Sequence, residues 1–159
     1  MMEKFIGAQG RQFSSTEVAK EIISFMEADN KRNYRIVVGT DSTLLADKSA
    51  DFVSVVVVHR IGNGGRYFWK RKVFKNFHTL RDRILKEVIL SIDLAKEILS
   101  NLKNLKAPNF NFEIHVDIGT NGPTSEMIQE VVGIIRAYNF EVKTKPESYA
   151  ASKVADRHV

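Results

Sequence analysis

The sequence contains no cysteine, and only three of its 159 residues are proline. The lack of cysteine excludes disulfides and thiolate metal sites, and it favours a reducing compartment such as the cytoplasm. No apolar run is long enough to span a bilayer, and the first residues lack the hydrophobic segment of a signal peptide. We therefore expect a cytoplasmic protein that does not associate with membranes.

The composition is that of an ordinary globular protein, with 43% hydrophobic and 27% charged residues. No internal repeat, low-complexity tract or linker rich in proline and glycine interrupts the sequence. The length also lies within the usual range for one domain. Residues 1–159 are therefore predicted to form a single domain.

A formal net charge of +5 favours an anionic partner such as nucleic acid. The stretch "RYFWKRKVFKNFH" mixes basic and aromatic side chains, a combination that suits phosphate backbones and unstacked bases. Alternate residues of a strand face opposite ways, however, so at least half of these aromatic side chains would belong to the core. The candidate nucleic-acid-binding residues in this stretch are Trp69, Lys70, Arg71, Lys72 and Lys75.

Hydrophobic periodicity and capping motifs predict the order of the secondary-structure elements. A capping box at Ser14 begins a helix in "SSTEVAKEIISFMEADN". Three strands follow in "YRIVVGTDST", "DFVSVVVVHRIG" and "GRYFWKRKVF", the last two joined at the turn "NGG". Next come a long helix in "TLRDRILKEVILSIDLAKEILSNLK", a strand at 112–117, a helix capped by Thr124 or Ser125, the strand "FEVKTKP" and a terminal helix begun by Ser148. This order predicts an α/β fold with a five-stranded mixed sheet, in which three antiparallel strands precede βα crossovers.

Two acidic residues stand at the predicted ends of strands, Asp41 after the first and Asp117 after the fourth. If these strands are neighbours, the two carboxylates lie close together and repel unless a cation separates them. Hard oxygen ligands of this kind suit Mg²⁺ or Mn²⁺, and two such ions can activate water and stabilise a leaving oxygen in phosphodiester cleavage. The alternative is that Asp41 starts a turn and Asp117 caps a loop.

The element order and four motifs, "GTDST", "HVDIGTNGPT", "VVGIIRAYNFEVKTKPESYAAS" and "VADRH", resemble the ribonuclease H-like superfamily. The resemblance is specifically to a bacterial family of unknown function assigned to that fold. It covers the chain from about residue 34 onward, which divides the domain into an arm and extra helix at 1–33 and a core fold at 34–159.

The resemblance implies a nuclease that uses two Mg²⁺ or Mn²⁺ ions held by four acids. These acids lie on the first strand, the long helix, the end of the fourth strand and the last helix. The matching residues, predicted to be both catalytic and metal-binding, are Asp41, Glu87, Asp117 and Asp156. Asp93 and Glu97 are alternatives to Glu87 on the helix.

Further residues are expected to assist the four acids. His158, two residues after Asp156, is a candidate for proton transfer or phosphate orientation. The loop containing Gly119, Asn121 and Gly122 could let a substrate phosphate approach the backbone, or it could be only a tight turn. His115 is a candidate hydrogen-bonding neighbour of Asp117, and Lys145 could position a phosphate.

Three functions are therefore open from the sequence. The first is metal-dependent hydrolysis of RNA, an RNA/DNA hybrid or DNA. The second is a nucleic-acid-binding module that keeps the fold without cleaving. The third is a partner-binding or structural protein that uses the amino-terminal helix at 14–29 as its surface.

Overall fold

The computed structural model of the protein describes residues 4–155 and residue 158. The strands are β1 (Phe5–Ile6), β2 (Gln12–Phe13), β3 (Tyr34–Leu44), β4 (Ala50–Arg60), β5 (Gly65–Phe74), β6 (Asn111–His115) and β7 (Glu141–Lys143). The helices are α1 (Ser15–Glu27), α2 (Leu80–Asn104), α3 (Ile128–Ala137) and a short C-terminal helix at Ala150–Ala155. All seven strands form one sheet in the order β2-β1-β5-β4-β3-β6-β7.

The α/β class and the mixed sheet are confirmed, but the predicted number of five strands is wrong because the sheet has seven. The two additional strands, β1 and β2, lie in the amino-terminal arm and have two residues each. They pair antiparallel with each other, and Ile6 of β1 pairs with Trp69 of β5. Strands of two residues are too short to show a periodicity, so the sequence pattern could not reveal them. They cover an edge of β5 that would otherwise be open to pairing.

The centre of the sheet follows the predicted order. Strands β3, β4 and β5 form an antiparallel meander, and β6 and β7 add parallel strands on the other side of β3. The turn between β4 and β5 contains Gly62 and Gly64 with φ values of +80° and +77°, which glycine adopts without steric cost. The "NGG" signal thus marks the turn correctly.

The two faces of the sheet carry different layers. Ile36 and Val38 of β3 pack in a core shared with α1 and α2, and Ile114 of β6 packs against α2 and α3. Val37 points to the opposite face, where it packs with Ala150 and Ala155 of the C-terminal helix. Alternation along β3 therefore sends neighbouring side chains to different layers, which decides where the polar residues at its end are directed.

The amino-terminal helix forms as predicted. Ser14 and Glu17 make the reciprocal hydrogen bonds of a capping box, so α1 begins at Ser15. None of the helices in the part of the chain that the structure describes is long and apolar enough to cross a bilayer.

Candidate active site

Asp41 and Asp117 occupy equivalent positions on neighbouring parallel strands. The last register pair between β3 and β6 is Gly39 with His115, and each aspartate lies two residues further along its own chain. The two side chains therefore start from the same level and the same face at one edge of the sheet, which we call the acid edge. The prediction that Asp41 ends its strand is wrong, because Asp41 still pairs with Val53 and β3 continues to Leu44. Asp117 follows the end of β6 instead of ending it.

Glu87 reaches the same region from α2. Its side chain is buried, and Oε2 accepts a 2.6 Å hydrogen bond from the hydroxyl of Ser42, the residue after Asp41. Its other oxygen, Oε1, is buried without a hydrogen-bond partner in the described chain. Arg83, one helical turn earlier, directs Nη1 to the carbonyl oxygen of Ser42 at 3.3 Å. The strand and the helix are thus joined at Ser42, next to Asp41.

The electrostatics of Glu87 follow from this position. Burial raises the pKa of its carboxyl group to about 8, the hydrogen bond from Ser42 opposes the shift, and the charges of Asp41 and Asp117 add to it. Both aspartates therefore act on Glu87 through space. Without a cation, Glu87 is mostly protonated at neutral pH, and a cation at the acid edge would reverse that preference.

A buried cluster of hydroxyl groups fixes α2 beside this site. Thr40 Oγ1 lies 2.9 Å from Ser54 Oγ on β4 and 2.8 Å from Ser91 Oγ on α2. Ser91 follows Glu87 by one turn, and Thr40 shares its sheet face with Ser42. This cluster was not predicted from the sequence, although the alternation of Thr40 and Ser42 in "GTDST" is a signal for it.

Lys145 meets Asp117 from the loop after β7. Its Nζ lies 3.1 Å from Asp117 Oδ1, which is ion-pair distance, but that oxygen accepts no hydrogen bond in the described chain. The backbone N–H of Lys145 donates to the carbonyl of Ile118 at 2.7 Å. A Cβ on Gly119 would lie 3.0 Å from the Cβ of Lys145, so glycine permits this close approach of the two loops.

The loop after Asp117 differs from the predicted strand-to-helix turn. Gly119 is buried, Asn121 is exposed, and Gly122 has a φ of +98°. A single 3-10 turn, Ser125–Met127, follows without a side-chain cap from Thr124, and α3 begins only at Ile128. The prediction of a helix capped by Thr124 or Ser125 is therefore wrong.

His115 connects β6 to the C-terminal helix. Its Nε2 lies 2.8 Å from Glu113 Oε1, and its Nδ1 accepts hydrogen bonds from the backbone N–H groups of Tyr149 and Ala150 at 3.0 and 3.2 Å. Two donors on Nδ1 fix the tautomer that carries its proton on Nε2. Burial lowers the pKa of His115 and keeps the ring neutral. The helix begins at Ala150, two residues after the predicted Ser148, with His115 as the acceptor for its first N–H groups.

The predicted fourth acid, Asp156, lies outside the described residues. The C-terminal helix before it packs on the sheet face that carries Val37 and Val53, the face from which Asp41 also projects. His158 lies over β5, where its ring stacks on Trp69 at 4.4 Å. This places His158 two strands from β3, or roughly 9–10 Å along the sheet.

The basic residues of β5 divide between the two faces of the sheet. Trp69 and Arg71 face the C-terminal segment, and Arg71 pairs with Asp51 and donates to the carbonyl of His158. Lys70 and Lys72 face α2 and line a cavity of about 200 Å³. Asp93 and Glu97 line the same cavity, on the β5 side of α2, whereas Lys75 follows the end of β5 and is exposed.

One part of this cavity lies at the acid edge. Ser42 pairs with Phe52, and Phe52 pairs with Lys72, so Lys72 stands in the same row of the sheet as Ser42. Lys72 and Lys86 place their ammonium groups 5.2 and 4.2 Å from the ring centre of Phe74. We call Lys72, Phe74 and Lys86 the basic groove.

Comparison with known sequences identifies the family. Residues 17–159 match the family described as Ribonuclease H-like. The chain belongs to this family. It is 31% identical over 164 residues to the uncharacterized protein YkuK of Bacillus subtilis (strain 168), an alignment that covers 96% of this chain and 95% of the relative. No solved structure gives a significant match.

Membership in the ribonuclease H-like family implies divalent metal ions, and the acid edge can be tested for them. Among residues 4–155 and 158, no group of three or more His, Asp or Glu side chains stands close enough together to hold an ion. The donor types nevertheless fit Mg²⁺ or Mn²⁺, because all are carboxylate oxygens. The buried, unpartnered Oε1 of Glu87 also fits, since an acceptor left without a partner favours a cation beside it.

Proposed function

We propose that the protein is a metal-dependent nuclease that hydrolyses phosphodiester bonds of nucleic acid at the acid edge. The observation that supports this most strongly is the equivalent register of Asp41 and Asp117, whose charges both act on the buried carboxyl group of Glu87. The charges of Asp41 and Asp117 help to raise the pKa of buried Glu87, so ionising all three carboxyl groups at once is costly without a cation. Ionisable groups with strongly shifted pKa values are concentrated at functional sites, so this arrangement suggests a catalytic role.

In the proposed mechanism Asp41, Glu87 and Asp117 would hold Mg²⁺ or Mn²⁺, with Asp156 as a fourth ligand. Two bound ions would supply an activated water and neutralise the departing oxygen. The chain itself supplies geometry: Ser42 orients the Glu87 carboxyl group, and the hydroxyl cluster around Thr40 holds α2 in register with β3. Ionised Glu87 would replace the protonated form when metal is present.

The basic groove supports nucleic acid as the substrate. Lys72 lies two strands from β3 in the row of Ser42, and Lys86 precedes Glu87 on α2, so a polyanion that occupies the groove would lie on the α2 face of the sheet, near Glu87. Phe74 offers an aromatic surface between them. In the loop after Asp117, the exposed Asn121 and Gly122 could contact the nucleic acid, whereas Gly119 is buried against Lys145 and could not.

A cleavage assay tests this function. The purified protein is incubated with RNA, an RNA/DNA hybrid, single- and double-stranded DNA and branched DNA, each with Mg²⁺, Mn²⁺ or chelator. We expect metal-dependent cleavage of at least one substrate and its loss in Asp41→Asn. Glu27→Gln, an exposed acid on α1, is the control and should keep full activity. Cleavage that persists in Asp41→Asn would contradict the assignment.

A second candidate function is a nucleic-acid-binding module that does not cleave. The lack of a three-residue metal cluster in the described chain favours it. It predicts that the basic groove binds nucleic acid equally well with chelator present. If the whole panel is bound and none of it is cut with either metal, this candidate replaces the nuclease.

A further inference from the structure

Lys145, in the loop after β7, brings a positive charge to the acid edge. Its Nζ lies 3.1 Å from Asp117 Oδ1, and its side chain is 51% exposed whereas that of Asp117 is 24% exposed. The ammonium group therefore stands at the opening of the site, with solvent on one side and the carboxylate on the other.

The backbone fixes the root of this side chain. The N–H of Lys145 donates to the carbonyl of Ile118, and the N–H of Val116 donates to the carbonyl of Lys143 at 3.0 Å. Gly119 lets the two loops pack so closely that a larger residue would displace Lys145. The position of Lys145 is thus built into the β6 and β7 connections, while its long side chain stays free to change rotamer.

The contact itself is easily exchanged. Asp117 Oδ1 is buried and accepts no hydrogen bond from Lys145, so the attraction between this oxygen and the half-exposed lysine is one of charge alone. The carboxylate that attracts the ammonium group is also the one that would bind a divalent ion. A divalent ion bound to Asp117 would repel the ammonium group at this short distance. A bound metal ion would therefore displace Nζ from Asp117, and the fixed backbone would keep it beside the site.

We propose that Lys145 is the phosphate-contacting residue of this site: it neutralises Asp117 in the metal-free protein and transfers to a phosphate oxygen of the substrate when metal binds. This inference rests on the proposed nuclease function. The phosphate would lie between Lys145 on the β7 side and the acids. Arg83, on the α2 side, already points to the carbonyl of Ser42.

The first test needs no substrate. Lys145→Met is compared with wild type and with Lys143→Met, a matched control at an exposed position of β7. Titration calorimetry with Mn²⁺ should show several-fold tighter binding to Lys145→Met, because a competing charge has been removed. Its melting temperature should be lower than wild type without metal and equal to wild type with saturating Mn²⁺. In an Asp117→Asn background the change should have no effect on either quantity.

A merely structural lysine gives a different pattern. The melting temperature of Lys145→Met would then be lowered by the same amount with and without Mn²⁺, and its affinity for Mn²⁺ would match that of Lys143→Met. Either result overturns the proposal, whether or not the wild type cleaves nucleic acid. A wild type that binds Mn²⁺ but cuts nothing contradicts the nuclease function alone.

The second test uses the substrate that the wild type cleaves best. Loss of a charged hydrogen bond to phosphate should lower kcat/KM of Lys145→Met by about tenfold to a hundredfold. Lys145→Arg, which keeps the charge, should recover most of this loss, and Lys143→Met should match wild type. If Lys145→Met bound Mn²⁺ more tightly but kept the kcat/KM of the wild type, the proposed contact between Lys145 and phosphate would be wrong.

Discussion

The hydroxyl group of Ser42 donates a 2.6 Å hydrogen bond to Oε2 of Glu87 and so joins β3 to α2 at the acid edge. Asp41 precedes Ser42 and projects from the opposite face of the same strand. One dipeptide therefore provides a candidate metal ligand and the group that orients another. Because of this coupling, changes at Asp41 or Ser42 should alter the protonation and the orientation of Glu87.

Glu87→Gln should stabilise the metal-free protein in a pH-dependent way. Because the folded-state pKa is raised from 4.5 to about 8, the folded protein holds a proton that the unfolded chain releases in that range. The free energy of unfolding of the wild type should therefore fall as pH rises from about 4.5 to 8. Urea unfolding at pH 5, 7 and 9 measures this. The free energy of unfolding of Glu87→Gln should exceed that of the wild type by an amount that increases from each pH to the next. A difference that is constant with pH would show that Glu87 is not protonated.

Ser42→Ala should destabilise the protein by about 1–3 kcal/mol, since it leaves a second oxygen of buried Glu87 without a partner. It should also weaken Mn²⁺ binding, because Glu87 loses its orientation. Thr43→Ala, an exposed neighbour on the same strand, is the control. Equal unfolding energies for the two variants would contradict the importance of this hydrogen bond.

His115 should make the protein sensitive to acid. Burial lowers its folded-state pKa below 6.5, so its contribution to stability is present above pH 6.5 and is lost as pH falls through the lowered value. His115→Phe should destabilise the protein by about 2–4 kcal/mol at pH 7.5, because the N–H groups of Tyr149 and Ala150 lose their acceptor. Hydrogen exchange should locate the loss in the C-terminal helix. Unchanged exchange there would contradict the role given to His115.

The basic groove should carry part of the affinity for nucleic acid. Changing Lys72 and Lys86 together to Ala should weaken binding for every sequence tested. The slope of log affinity against log salt should become less steep by about one for each lost phosphate contact. Lys31→Ala, in the turn that precedes β3 and at the opposite end of that strand from Asp41, should leave the slope unchanged. Fluorescence anisotropy at four salt concentrations measures the slope. Equal slopes for the wild type and the double variant would show that the basic groove does not contact phosphates.

Local signals in the sequence predicted much of the fold. The capping box at Ser14, the turn at "NGG" and the β-branched runs each depend on nearby residues, so they could be recognised without tertiary information. The two-residue strands β1 and β2 form only because β5 presents an open edge, and no local pattern encodes that. The predicted end of β3 at Asp41 was wrong for a similar reason: pairing with β4 extends the strand past Asp41, and this pairing depends on a distant part of the chain.

In the candidate site, too, some features follow from local sequence patterns and others depend on contacts between distant residues. The register of Asp41 and Asp117 follows from two strand patterns and a parallel crossover, and the preference for Glu87 agrees with its burial at this edge. The roles of His115 and the hydroxyl cluster depend on contacts between residues more than 30 positions apart. Their partners could be assigned only from the three-dimensional structure.

The most direct test of the metal-dependent nuclease is a crystal of the wild-type protein grown with Mn²⁺ and measured at the manganese absorption edge. The account predicts anomalous density between the carboxylates of Asp41 and Asp117, within bonding distance of Glu87 and with Lys145 turned away. The same measurement on Asp41→Asn should show weak density or none. A well-ordered wild-type crystal in saturating Mn²⁺ with no density at the acid edge, and with Lys145 still on Asp117, would contradict the account.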